Sequence, residues 1–135
     1  MHKLALIAAF MAIALPAPAL AADWVLVTES DPKSSIYSDV IVKIYVDRET
    51  ILTMLNKNRR VWEVITGNNK LIEKRLIEFD CFAKSFFSFA NGKMRIITRK
   101  YYLYGNESTV IEKGSKFYWV GNGFDRKVFN YVCRK

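Results

Sequence analysis

The stretch Phe86-Phe-Ser-Phe-Ala-Asn-Gly-Lys-Met-Arg-Ile-Ile-Thr-Arg-Lys-Tyr-Tyr-Leu-Tyr104 places Asn91-Gly92 between two apolar, β-prone runs. Asn-Gly supplies the positive φ angles of a type I′ turn, whose twist matches that of paired strands. The spacing predicts a hairpin in which Phe86–Ala90 pairs with Lys93–Tyr104. Upstream, Leu71–Phe82 is the longest alternating run, with Ile77, Phe79 and Cys81 on one face and Leu76, Glu78 and Asp80 on the other. Arg60–Thr66 alternates again, Trp62 and Val64 opposing Val61, Glu63 and Ile65, and Gly67-Asn-Asn69 closes it. Further out, Val40–Val46 sets Val42, Ile44 and Val46 on one face and Lys43, Tyr45 and Asp47 on the other. Trp24–Glu29 is a short β-prone segment that ends in the turn-rich Ser30–Ser35. Asp47–Thr50 begins a predicted helical turn running into Ile51–Leu55 and broken at Asn56-Lys-Asn58. Gly105-Asn106 and Gly114-Ser115 mark turns, and Phe117–Val120 reads as a short aromatic strand.

The period changes at the C-terminus. Phe124, Val128, Phe129 and Val132 recur at helical spacing with Arg126, Lys127 and Arg134 outward, and Asn122 or Asp125 is placed to cap the start. The predicted architecture is an α+β domain: an antiparallel β-sheet of about six strands with a C-terminal α-helix.

The first residues carry a different message. Met-His-Lys precedes the apolar run Leu4–Leu15, then Pro16-Ala-Pro-Ala-Leu-Ala21, so residues 1–21 read as a signal peptide with an A-x-A site at Ala19 and Ala21 and a mature start at Ala22. The run is shorter than the roughly 20 residues a spanning helix needs and is broken by prolines. Residues 22–135 then form a single domain, with no transmembrane segment expected once the signal is removed. No Cys stands at Ala22 or Asp23, so the site is not a lipoprotein cleavage box. The whole chain of 135 residues has 21 Lys plus Arg against 13 Asp plus Glu; without Lys3, 20 against 13 remain, a net +7. Export also removes His2, the only histidine, which excludes Ser-His-Asp triads, Cys-His pairs and His-ligated zinc from the mature chain.

Cys81 and Cys133 allow one pairing in an oxidising compartment. A disulfide between them closes a loop of about 50 residues, staples the last helix to the strand that carries Cys81, and contributes roughly 4 kcal/mol in the chain-entropy model.

Several landmarks recur in one order: Trp24 after the signal, Tyr45-Val-Asp47 and Ile51, Arg60-Val-Trp62-Glu-Val64, Glu78-Phe-Asp-Cys81, Tyr118-Trp119 and Tyr131-Val-Cys133. In that order and spacing, residues 24–133 resemble the bacterial surface-adhesin protein E family of small exported domains. The resemblance implies an antiparallel sheet with a helix tied to it, no enzymatic activity, and, in the name-giving adhesin, binding of host extracellular proteins. The chain departs from that pattern at Trp119-Val-Gly-Asn-Gly123, where the family has a Trp-x-x-Pro-x-Ser block.

Glu78 and Asp80, two apart on a strand, share a face as paired acid/base carboxylates do, but Lys74, Arg75 and Lys84 nearby read them as a solvated ion-pair face. No Gly-rich phosphate loop is present, and the chain is read as a non-enzyme with no catalytic, cofactor or metal residues. Basic residues cluster at Lys57/Arg59/Arg60, Lys70/Lys74/Arg75, Lys93/Arg95/Arg99/Lys100 and Arg126/Lys127/Arg134/Lys135, with aromatics interleaved at Phe86, Phe87, Phe89, Tyr101, Tyr102 and Tyr104. In the cytosol such a mix suggests single-stranded nucleic acid, which export argues against. The expected partners are host extracellular-matrix or plasma proteins, or an anionic glycan or lipopolysaccharide, drawn by the positive field. The candidate patch is Lys93, Arg95, Arg99 and Lys100 on the hairpin arm, with Lys93, Arg95 and Arg99 on one face and Lys100 on the other. The functional expectation is an exported, adhesin-like binding protein in the periplasm or at the cell surface. A structural or assembly role in the envelope, or inhibition of a host hydrolase, are the alternatives, and the oligomeric state stays open.

Overall fold

The computed structural model describes residues 22–31, 40–86, 91–103, 106–111 and 114–134. The expected α+β architecture is present. Strands β1 (Trp24–Glu29), β2 (Val42–Asp47), β3 (Leu52–Thr53), β4 (Arg59–Gly67), β5 (Lys70–Lys84), β6 (Asn91–Leu103), β7 (Asn106–Ile111) and β8 (Tyr118–Trp119) form one eight-stranded sheet, followed by helix α1 (Phe124–Cys133). The main path runs β1-β2-β4-β5-β6-β7, every pair antiparallel. β3 adds to β4 and β8 adds to β6. The segment after Asp47 makes a 3-10 turn over Arg48–Thr50, capped by the Asp47 side chain. The helical turn does not run on as the sequence suggested: Leu52 and Thr53 pair with Arg60 and Arg59 instead.

Residues directly opposite in a ladder share a face, so the register assigns each side chain. One face carries Ile44, Val46, Val61, Ile77, Phe79 and Met94, and these form the buried core with Val128, Phe129 and Val132 of α1. The helix presents that stripe because its apolar residues recur at three- and four-residue spacing. Phe79 and Phe129 meet edge to face, ring centroids 5.8 Å apart. Gly123 stands at the helix N-cap without a side-chain cap, in place of the expected Asn122 or Asp125. Asp125 instead accepts from Arg75 Nη2 at 3.3 Å, tying the first helical turn to the sheet. The last turn is tied by the Cys81–Cys133 disulfide, as expected.

The turn expected at Gly67-Asn-Asn69 is present, and the one expected at Asn91-Gly92 is not. Gly67 pairs with Lys70, leaving Asn68-Asn69 as a two-residue loop with φ of 49° and 65°, the positive pair of a type I′ turn. Asn91-Gly92 is no turn. Both residues lie in β6, Asn91 pairs with Lys84, and of the expected opposing arm Phe86–Ala90, residues 87–90 lie outside the described residues. Gly92 spends its φ of 90° on a bulge, in which Cys81, Phe82 and Ala83 stand opposite it alone. Among the described residues no helix is long and apolar enough to cross a membrane.

Candidate functional site

The four basic residues of the hairpin arm do not form one patch. A second bulge inserts Ile97 between the Ile77–Ile96 and Leu76–Thr98 pairs and reverses the alternation beyond it. Arg99 therefore faces the core side, opposite Arg75, while Lys93, Arg95 and Lys100 share the other face, contrary to the sequence reading. Each is engaged. Lys93 lies over Trp119 at 4.6 Å and Arg95 over Phe117 at 4.9 Å. Arg95 also donates to Glu78 at 3.1 Å, Lys100 lies 3.9 Å from Glu107, and Arg99 reaches Glu73 and the Tyr101 hydroxyl.

Glu78 and Asp80 share the face opposite the helix, but not as a solvated pair. Glu78 is 2% exposed and accepts from Asn58, Arg60 and Arg95. Burial pushes its carboxyl up, but these hydrogen bonds win and hold it below the ordinary range. Asp80 accepts from the backbone amides of Phe82 and Ala83 and so shapes the bulge at Cys81. On the same face Lys74 is buried, its ammonium 4.8 Å from the Trp62 ring and 5.8 Å from the Trp24 ring. Burial, then repulsion from Lys100, lowers its pKa.

On the helix side, Glu63 is fully buried and accepts from Arg75 at 2.7 Å through Oε1, while its Oε2 has no hydrogen-bond partner. Burial outweighs the guanidinium and pushes the Glu63 carboxyl up to about 7. Burial acts on Arg75 as well, but Glu63 and Asp125 more than offset it and hold its proton more firmly than usual. This cluster joins sheet to helix, with Glu63 and Arg75 buried and Asp125 part-exposed at its rim.

An accessible concavity lies at the end of the sheet where the disulfide is. Three features meet there: the Cys81–Ala83 bulge of β5, the Met54–Asn58 turn after β3, and the C-terminus of α1. They enclose a cleft of about 430 Å³ lined by Lys57, Arg59 and Lys84, with Phe82, Asn91 and Thr53. Each cation is positioned by a local cause. The turn holds Lys57 at φ 70°, its amide donating to the Met54 carbonyl while the Asn58 carbonyl accepts from the Met54 amide. Arg59 lies on β4 and donates Nη1 to the Val132 and Arg134 carbonyls at 2.6 and 3.1 Å, offsetting the negative end of α1. Lys84 ends β5 opposite Asn91. Both lysines are exposed, and no carboxylate among the described residues lines the cleft. The sequence reading grouped Lys57 and Arg59 with Arg60 and left Lys84 with Lys74 and Arg75. Strand alternation sends Arg60 to Glu78 on the other face, and Lys74 and Arg75 are buried. The signal that relates Lys84 to Arg59 is the disulfide, which brings the end of β5 to the end of α1.

The described residues hold no group of three or more His, Cys, Asp or Glu side chains placed to bind a metal ion. No family model, no curated protein and no solved structure matches the chain, so the likeness to the surface-adhesin protein E family rests on the sequence landmarks.

Proposed function

We propose that this chain is an exported, non-catalytic binding module that captures an acidic macromolecular partner in an adhesin-like way, with host extracellular proteins or anionic glycans as the partner class. The observation that carries this reading is the cleft beside the disulfide, which Lys57, Arg59 and Lys84 line and to which no carboxylate among the described residues contributes. Positive groups in a concave, partly apolar wall focus the field and raise the local concentration of anions. The surplus of basic residues, 21 against 13, works in the same direction at longer range. The non-catalytic reading draws support from Glu78, whose buried carboxylate is occupied by three hydrogen bonds and is not presented to a substrate. Export rests on the signal-like residues 1–21 and on the disulfide, which suits an oxidising compartment.

The test is capture of residues 22–135 on immobilised extracellular-matrix and plasma proteins, heparin and lipopolysaccharide. Binding to at least one is expected at low salt. It should weaken at least tenfold between about 0.01 M and about 0.15 M ionic strength, over which the Debye length shortens from about 30 to about 8 Å. Absence of capture from every surface at low salt would overturn the reading and favour a structural role in the envelope.

A further inference from the structure

We infer that the cleft beside the disulfide is a subsite for a single sugar unit bearing a phosphate or sulfate group, an assignment that rests on the binding-module reading and names the chemistry it recognises. Its volume of about 430 Å³ suits a small ligand and not a protein surface, since small-molecule sites span roughly 300–1,000 Å³. Its two exposed lysines and one arginine are suited to one tetrahedral oxyanion. Arg59 is already fixed by the two helix carbonyls, so its guanidinium is held in place before any ligand arrives. The lysines act as point charges and the guanidinium as a planar donor, the two modes by which proteins hold phosphate and sulfate.

The rest of the wall speaks to what carries the anion. Phe82 is 61% exposed, a large apolar ring held out of the core by the Cys81–Ala83 bulge. Asn91 and Thr53 add uncharged hydrogen-bonding groups on the cleft wall. One ring face beside neutral donors and acceptors suits the apolar face and hydroxyls of a sugar. A nucleic-acid strand asks instead for several stacking rings along a charged groove, and among the described residues Phe82 is the one aromatic that lines this cleft. The disulfide forms part of the wall, which makes the subsite rigid and couples it to the oxidised state of the protein.

The experiment is an amide chemical-shift titration of residues 22–135. The probes are N-acetylglucosamine 6-phosphate, N-acetylglucosamine 6-sulfate, neutral N-acetylglucosamine and inorganic phosphate. Saturable shifts are expected at Lys57, Arg59, Phe82 and Lys84 with at least one anionic sugar, at a Kd at least tenfold below those of the neutral sugar and of inorganic phosphate. Preference for phosphate points to phosphorylated envelope glycans, and preference for sulfate to glycosaminoglycans. Lys57→Gln/Lys84→Gln should weaken binding at least about tenfold, the scale of lost hydrogen bonds to charged groups. Lys70→Gln, an exposed lysine beside the Asn68-Asn69 turn, should leave it unchanged. Shifts spread evenly over exposed lysines, equal affinity for inorganic phosphate, or indifference to the double variant would each overturn the subsite. If macromolecular capture depends on Lys57 and Lys84 while no sugar probe binds, the sugar assignment falls and the capture reading stands.

Discussion

At the scale of single residues, Gly92 shows how one position can be fixed twice. Its φ of 90° belongs to the left-handed region, and a Cβ there would lie 2.2 Å from the Phe129 ring. Gly92→Ala should therefore cost roughly 2–4 kcal/mol from the left-handed backbone and the overpacked core together, read as a lower midpoint in chemical denaturation. Glu63 and Glu78 make opposite contributions to pH dependence. Glu63 is raised to about 7 in the fold, so its contribution is fully present below its ordinary value of 4.5 and is lost as pH rises through about 7. Glu78 is lowered, so its contribution is present above 4.5 and is lost as pH falls through its folded value. Stability should peak near pH 4.5 and decline on the alkaline side, up to about pH 7, by on the order of 3 kcal/mol. Thermal melts across pH check this: Glu63→Gln should flatten the alkaline limb and leave the acid limb in place. An unchanged alkaline limb would contradict the assignment. The burial of Glu63 was hidden in the sequence, because Val61, Glu63 and Ile65 alternate as one face without showing that Arg75 opposes it.

At the scale of elements, what was legible is what alternates cleanly. Trp24–Glu29, the faces of Val42–Asp47 and the helix Phe124–Cys133 all follow from apolar spacing alone. Bulges escaped that reading. Met94-Arg-Ile-Ile-Thr-Arg99 contains adjacent isoleucines, so its alternating frame can slip by one residue, and the Ile97 bulge uses that slip to put Arg99 and Lys100 on opposite faces from those expected. The Asn91-Gly92 turn was misread because tertiary packing overrides its strong local signal, whereas the turn at Gly67-Asn-Asn69 was legible. Asn68 exchanges two hydrogen bonds with the Ile41 backbone, which dock that turn on the start of β2. Gly92 is meanwhile required under Phe129. The disulfide was legible because two cysteines allow one pairing. Its sequence separation of 52 closes a long loop, so Cys81→Ser or Cys133→Ser should cost about 2–5 kcal/mol. Because Cys133 ends α1, amide hydrogen exchange should speed up first in that helix. Loss of protection led by β1 and β2 would contradict the staple.

At the scale of the molecule, the sheet turns one face to the helix and spends the cations of the other on rings and buried carboxylates. Arg60 and Arg95 go to Glu78, Lys74 to Trp62, and Lys93 to Trp119. The cleft was not legible in the sequence because its three cations come from β4, β5 and a turn, joined only by the register and the disulfide. The central claim is that capture runs through this cleft and not through the hairpin arm. The most direct measurement compares Lys57→Gln/Lys84→Gln with Lys93→Gln/Lys100→Gln in the capture assay at low salt, since both pairs remove the same charge and neither touches the buried Glu78. The account predicts at least about tenfold weaker capture for the first pair and less than about twofold change for the second. Equal losses, or a greater loss in the hairpin-arm pair, would contradict it.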